Sequence, residues 1–248
     1  MSDITGFLND LQDIVNEDFV SIYIPSLKRN VDFKPLTVKQ HKEILKNYLD
    51  GLVGNIKLGY VLNNIITENI VDKTIELELY DKNYILTKLR RQASGDNIVI
   101  DDKQYDISTI TNLDKIEFKF DSKATGEYNG IVINLHPPSL KVDTAVSIAC
   151  YNVITKAPFD EKKVTDYIST MLTYEIIKFI SMVTVKSNTI DFTSLSIADR
   201  KQVVDSLPLV CHRQIVEYIT QYREYEDSYY KFSDGTKLVV DGNFLTGA

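Results

Sequence analysis

Apolar residues recur at helical spacing along much of this chain, and they alternate with polar residues in two shorter regions. Side chains on one face of a helix return about every 3.6 residues, whereas side chains on one face of a strand return every second residue. The first pattern runs from Ile4 to Val15 and predicts a short amphipathic helix. Its apolar positions are Ile4, Phe7, Leu8, Leu11, Ile14 and Val15. This segment lacks the basic start and continuous apolar core of a signal peptide.

An alternating pattern after this helix predicts a β-hairpin. Residues 19–24 alternate and are rich in strand-forming side chains, and residues 31–33 resume the pattern. Between them, Pro25 and Ser26 favour a turn. We therefore expect two short strands that pair near the N-terminus.

Capping residues then mark the start of a helical stretch. Thr37 and Gln40 have the spacing of a capping box, in which each side chain bonds the other residue's backbone N–H. We expect Gly51 and Gly54 to end this helix, because glycine is a poor helix former. Helical spacing resumes over residues 55–71 and predicts a second helix.

The segment 79–96 predicts a third helix with well-marked ends. Asp81 is a good N-cap, and Gly95 allows a left-handed stop. Arg90 and Arg91 fall in the last turn, where exposed carbonyls favour cations. Helix-end electrostatics explain both arginines. The alternative is that they contact a partner protein.

The pattern changes to alternation over residues 98–140 and predicts a β-rich subregion. Two pairs of alternating segments are each separated by polar residues, as in hairpins. The strands of the two predicted hairpins are 98–100 with 105–107, and 116–120 with 131–135.

Helical spacing returns at Asp160 and continues to Val183, which predicts a long core helix. Ser196 and Asp199 then suit the start of a short helix. Pro208 suits the first turn of the last one, because the missing N–H of proline costs nothing there.

Tyrosines recur at steps of three and four residues along the last helix. Tyrosine combines a large apolar area with a polar tip, so these side chains suit an interface with another protein. The alternative is that they pack on the protein's own body. The candidate partner contacts are Tyr222, Tyr225 and Tyr229, together with Arg90 and Arg91.

Together these elements predict an α+β fold, with a mostly helical body, short N-terminal strands and a β-hairpin-rich middle. We divide the chain into an N-terminal strand-helix region (1–97), a β-rich subregion (98–140) and a C-terminal helical region (141–248), all within one compact unit. The 248 residues are enough to bury a core without disulfides.

The net charge, the apolar runs and the cysteines exclude several classes of partner and of environment. The net charge of −7 argues against a broad nucleic-acid or anionic-membrane surface, since both polyanions would be repelled. The chain has no apolar run of the roughly 18 residues needed to span a bilayer, so we expect a soluble protein. Cys150 and Cys211 have no metal-ligand or disulfide spacing, and we expect buried thiols in a reducing environment.

Motifs for catalysis are missing from the sequence. His41, His136 and His212 are scattered and form no zinc pattern. No Walker loop, dinucleotide fingerprint or G-x-S-x-G elbow occurs. Glu226 and Asp227 are adjacent and diverge on a helix, so we interpret them as solvated charges. We assign no catalytic residue, no cofactor and no metal ligand, and we expect a protein that is not an enzyme.

Three blocks of the sequence, taken in order, resemble one known family. They are IYIPSLKRNVDFKPLTVKQHKEIL, then LYDKNYILTKLRRQASGD, then IDFTSLSIADRKQVVDSLPLVCHRQIVEYI. The first resembles the family's opening strands and Thr-capped helix. The second resembles its Asp-initiated helix with an Arg-x-x-Ser-Gly end, and the third its C-terminal helical pair. The family is the baseplate hub family of T-even-like contractile-tailed bacteriophages, including its hub assembly proteins.

This resemblance implies a structural component of the tail baseplate hub that acts by protein-protein contacts during tail assembly. Its partners would be other phage baseplate or tail proteins, with no small-molecule substrate, nucleic acid or membrane. The protein would be made in the host cytoplasm and found in the virion. The alternative is a transient assembly chaperone that is not retained in the virion.

Overall fold

Helices dominate the fold and its strands are short, which confirms the predicted α+β class. The structure, a computed structural model, describes residues 4–110, 113, 117–156, 158 and 160–247. The helices are α1 (Ile4–Glu17), α2 (Val38–Leu49), α3 (Gly51–Asn69), α4 (Asp81–Ser94), α5 (Leu140–Ile154), α6 (Val164–Phe179), α7 (Ile197–Asp205), α8 (Leu209–Asp227) and α9 (Gly242–Thr246). The strands are β1 (Val20–Ile24), β2 (Arg29–Phe33), β3 (Asn97–Ile100), β4 (Lys103–Asp106), β5 (Lys123–Ala124), β6 (Ile131–Leu135), β7 (Ile180–Val185) and β8 (Asn188–Asp191).

Two of the predicted hairpins are confirmed. β1 pairs antiparallel with β2, and Ile22 lies opposite Val31. β3 pairs antiparallel with β4 across Asp101 and Asp102, whose φ angles are 49° and 62°. Positive φ at both central residues is the geometry of a tight two-residue hairpin turn.

The third predicted hairpin is wrong in its first strand. β6 forms as predicted, but it pairs with β5 on one side and β7 on the other, in a four-stranded sheet of order β5-β6-β7-β8. Residues 117–120 belong to no strand, and Ile116 lies outside the described residues. The alternation in this segment instead directs Phe118 and Phe120 against aromatic rings of other elements.

The long helix predicted through Val183 is also too long. α6 ends at Phe179, and Ile180 and Val183 are buried residues of β7. Ile180 and Val183 are three residues apart, so they continue the helical spacing although they lie in a strand. β7 turns at Lys186, with a φ of 56°, into the edge strand β8.

Gly54 does not end a helix, contrary to expectation. It lies inside α3, which begins at Gly51. A Cβ at Gly54 would approach the carbonyl oxygen of Asn47, in the last turn of α2, to 2.1 Å. Glycine is therefore needed at this position for the close approach of two helices.

Three of the predicted helix ends are confirmed. The Thr37–Gln40 capping box is formed, the Ser196 side chain accepts from the Asp199 N–H, and Gly95 follows α4 with a φ of 77°. Asp81 is not an N-cap, because it lies within the first turn of α4.

Asp81 serves a different purpose from the one predicted. It is fully buried and accepts hydrogen bonds from the Ser26 N–H at 3.2 Å and the Ser26 hydroxyl at 2.5 Å. Burial raises its pKa to about 6, although the hydrogen bonds from Ser26 oppose the shift. Asp81 thus joins the start of α4 to the turn of the β1-β2 hairpin.

The buried apolar side chains form two clusters. The first joins the N-terminal hairpin, α2 to α4 and the β3-β4 hairpin with the end of the chain, including Tyr230 and Phe244. The second joins α5 to α8 with β6 and β7. Cys150 and Cys211 belong to the second cluster as free, buried thiols, as predicted.

Candidate functional site

Arg90 faces the interior of the protein, which corrects its proposed place on a contact surface. Its side chain is only 6% exposed. The guanidinium donates hydrogen bonds to the carbonyls of Gly95, Asn97 and Phe244, and it lies 5.4 Å from the centre of the Phe244 ring. Arg90 therefore joins the end of α4 to the start of β3 and to α9.

Arg91 is partly exposed and pairs with a residue just beyond its own helix. Its Nε lies 2.6 Å from Asp96 Oδ1, and its Nη2 lies 3.1 Å from Asp96 Oδ2. The Arg91 hydrogen bond lowers the pKa of Asp96 below its usual value. This two-pronged pair lies at the surface, since 21% of the Arg91 side chain is exposed.

The two arginines are expected to differ sharply in their effect on stability. Arg90→Met would remove the hydrogen bonds that a buried guanidinium makes to three carbonyls, of which the Phe244 carbonyl is itself buried, and we expect the free energy of unfolding to fall by about 2–4 kcal/mol. Arg91→Met is the matched control, and its expected loss is at most about 1 kcal/mol. Urea unfolding followed by circular dichroism measures both. Equal losses would contradict the assignment of Arg90 to the interior.

Tyr222 is also buried, so it cannot be a surface anchor in this structure. It is 2% exposed, and its ring lies 5.2 Å from Phe179 and 5.4 Å from Phe120, centre to centre. Its hydroxyl has no hydrogen-bond partner among the described residues. Burial, followed by the nearby charge of Glu226, raises the pKa of Tyr222.

Tyr225 and Tyr229 are partly exposed and hold a neighbouring segment of the chain. Their hydroxyls lie 2.9 Å apart, and each donates to the carbonyl of Glu117. The Lys119 N–H donates to Tyr225 at 2.9 Å. Burial and the hydrogen bond between the two hydroxyls raise the pKa of Tyr229 to about 12. The Phe118 ring lies between these tyrosines and α4, stacked on Tyr80 at 4.5 Å.

Ionised groups that are not among the predicted contact residues lie between the helices. Lys178 on α6 lies 2.6 Å from Asp143 on α5 and 2.7 Å from Glu175 on its own helix. Asn63 on α3 donates to Asp143 at 2.6 Å, and Arg223 on α8 pairs with Glu175 at 2.9 Å. We call these five residues the buried charge cluster, of which only Arg223 is mostly exposed, with 57% of its side chain accessible. It joins four helices.

Opposite charges stabilise the ionised forms within the buried charge cluster. Burial disfavours the charge on Lys178, but the carboxylates of Glu175 and Asp143 outweigh it and raise the pKa of Lys178. Burial likewise opposes the charge on Asp143, and the Lys178 charge reverses the effect and lowers its pKa. Burial opposes the charge on Glu175 as well, and the Lys178 charge again outweighs it and lowers the pKa of Glu175. All three groups are therefore charged at neutral pH.

An open cavity of about 510 Å³ adjoins the buried charge cluster. Its polar lining includes Lys82, Asn83, Asp143, Lys178 and Glu226. Lys82 donates to the carbonyl of Gly59 at 2.9 Å, and Asn83 donates to Glu226 at 2.8 Å. These lining groups therefore bond to other parts of the same chain, an arrangement that suits the joining of helices.

Glu226 is not the solvated charge that its sequence position suggested. It is partly buried at the end of α8, where burial and the charge of Asp227 raise its pKa to about 7. A carboxyl group with this pKa is only partly ionised at neutral pH.

Within the described residues, no group of three or more His, Cys, Asp or Glu side chains is placed to hold a metal ion. No described helix combines the length and apolar character needed to cross a bilayer.

The comparison with known protein families assigns the chain to a family. The sequence model of the family described as T4 bacteriophage base plate protein matches residues 17–226. The chain belongs to this family. No curated protein and no solved structure matches it. This base plate protein is thus a structural component of the phage tail. Its partners are other tail or base plate proteins.

The matched region contains almost every element described above. It begins at the last residue of α1 and ends one residue before the end of α8. The β1-β2 hairpin, helices α2 to α7 and the buried charge cluster all fall within it. Most of α1 and the segment with α9 lie outside.

Proposed function

We propose that this base plate protein is a non-enzymatic component of the baseplate hub, and that it acts by contacts with neighbouring tail proteins during tail assembly. The observation that carries the proposal is the family match over residues 17–226, which includes most of the folded elements. The three sequence blocks that resemble the hub family all lie within that range.

The use of polar groups supports a role based on shape. The ion pairs of the buried charge cluster and the hydrogen bonds of Arg90 form within the chain, and they join separate elements of the fold. Such contacts favour one arrangement of the body, and a body of fixed shape can present a defined surface to its neighbours. Large apolar side chains remain on that surface, including Leu49 at 71% exposure and Leu209 at 62%.

The proposed contact residues follow from accessibility. Among the five candidates, Arg91, Tyr225 and Tyr229 are partly exposed, and we propose that these side chains reach a partner. Arg90 and Tyr222 lie behind them and support the helices that carry them. Arginine and tyrosine are the residue types most enriched among strong contacts at protein interfaces.

A phage that cannot make this protein tests the proposal. We expect infected cells to accumulate filled heads and incomplete baseplates, because a missing hub component stops tail assembly. Supplying the intact protein from a plasmid should restore complete tails. Electron microscopy of the lysates measures both results. Normal tails in the absence of the protein would contradict the proposal.

One observation favours a second candidate, a transient assembly chaperone. Five apolar side chains of α1 are exposed in the free chain (Ile4, Phe7, Leu8, Leu11 and Ile14), which suits a factor that binds a partner and later releases it. The two candidates differ in one observable, namely whether finished tails contain the protein.

A further inference from the structure

α1 exposes a continuous apolar stripe. Five large apolar side chains recur at steps of three and four residues, which places them on one face of the helix. Their exposed fractions are 68% for Ile4, 66% for Phe7, 52% for Leu8, 46% for Leu11 and 65% for Ile14. Single exposed apolar residues are ordinary on protein surfaces, but a helix-long stripe marks an interaction site.

Neither hydrophobic cluster of the fold uses this stripe. None of the five side chains belongs to the cluster around the N-terminal hairpin or to the one around α6. Helices of this length are marginal in water unless an apolar face is packed against something. The stripe therefore lacks an intramolecular partner among the described clusters, and a second molecule is needed to cover it.

The charge of the segment limits what that second molecule is. The sequence of α1 contains Asp10, Asp13 and Glu17 and no Lys or Arg. Two copies of α1 would bring like charges together, and an anionic lipid surface would repel the same acids. A protein groove with an apolar floor and basic residues at its rim complements both features.

We propose that α1 docks by its apolar stripe into a groove of another tail protein, one with an apolar floor and a rim of Lys and Arg. This is the helix-in-groove mode of recognition. The inference rests on the proposed function, because it takes the partner from the phage tail. It adds the element that makes the contact, and this element lies almost entirely outside the family match.

The test uses the purified full-length chain and, as the probe, baseplate assembly intermediates from infected cells that make no copy of it. We expect Phe7→Ser with Leu11→Ser to weaken binding about a hundredfold, because two large apolar contacts are lost. Asn9→Ser, an exposed polar position on the same helix, is the matched control and should bind like the wild type. Both variants should keep the wild-type melting temperature, since the altered side chains are exposed.

A photo-crosslinker in place of Leu8 identifies the occupant of the stripe in the same mixture. The proposal expects a crosslinked peptide from a different tail protein, and it expects binding to weaken in roughly 0.5 M salt. A crosslink to a second copy of this chain, or equal binding to vesicles of phosphatidylglycerol, would overturn it. Wild-type binding by the double variant would overturn the inference alone, whereas no binding by the wild-type chain would overturn the proposed function as well.

Discussion

Lys178→Met lowers the free energy of unfolding by about 3–5 kcal/mol, the expected cost of removing one partner from a buried ion pair. The Lys178 ammonium lies 2.6 Å from Asp143 and 2.7 Å from Glu175, and its side chain is 12% exposed. Methionine fills nearly the same volume, so the loss comes from charge and not from a cavity. Among the described residues, Asp143, at 6% side-chain exposure, would keep the Lys82 ammonium as its cationic neighbour, at the longer distance of 4.0 Å.

Lys201→Met is the matched control for this change. Lys201 pairs with Asp205 on the surface of α7, where 38% and 46% of the two side chains are exposed. Exposed pairs of this kind contribute at most about 1 kcal/mol, so we expect a small effect. Adding Asp143→Asn to Lys178→Met should recover part of the loss, because it removes one uncompensated charge. Guanidinium unfolding curves measure all three variants, and equal effects of the two lysine changes would contradict the buried charge cluster.

Gly54→Ala is the second change with a large expected effect, a loss of about 3 kcal/mol from overpacking. The added Cβ would lie 2.1 Å from the Asn47 carbonyl oxygen and 2.6 Å from the Asp50 Cβ. The carbonyl belongs to the backbone of α2, so a side-chain rotation cannot relieve the contact. α2 and α3 would have to move apart.

Gly59→Ala, five residues further along α3, should change the free energy of unfolding in the opposite direction. No atom lies within 4 Å of a Cβ built at Gly59. Alanine is favoured over glycine inside a helix by roughly 1 kcal/mol, so this variant should be slightly more stable than the wild type. Thermal unfolding of the two variants side by side gives the comparison. A stable Gly54→Ala protein would show that the helices are not packed as described.

Helix ends and short hairpins were predictable because their signals are local. The Thr37–Gln40 box, the Ser196 cap and the Gly95 stop each depend on residues within a few positions of one another. The β1-β2 and β3-β4 hairpins are local in the same sense. Asp81 satisfies the same N-cap rule, but its carboxylate bonds to Ser26, which is 55 residues away. No local pattern contains that contact.

Local sequence patterns do not locate the elements that depend on contacts between distant parts of the chain. α5 was not predicted, because few polar residues separate its apolar ones and its inward-facing polar residue is Asp143. An aspartate on a buried face makes sense only when Lys178 from α6 lies beside it. β7 was assigned to the preceding helix, because Ile180 and Val183 keep a three-residue step while they belong to a sheet.

For the candidate contact residues, too, the sequence predicts some features and only the fold shows the others. The sequence places Arg90 and Arg91 side by side at a helix end, but only the fold shows that one faces the interior and the other faces Asp96. A signal for the buried charge cluster did exist, since Lys178 stands between the buried residues Ile177 and Phe179. A single lysine within an apolar run indicates one of two things. Either the lysine lies on the solvent-facing side of the helix, or it is buried and paired with an opposite charge.

Quantitative mass spectrometry of purified tails tests the central claim most directly. Isotope-labelled peptides of this protein, counted against peptides of known tail proteins, give its copy number in finished particles and in assembly intermediates. A hub component is expected at a constant, stoichiometric copy number in both. Presence in the intermediates with absence from the finished tails would contradict the account and identify a transient assembly chaperone instead.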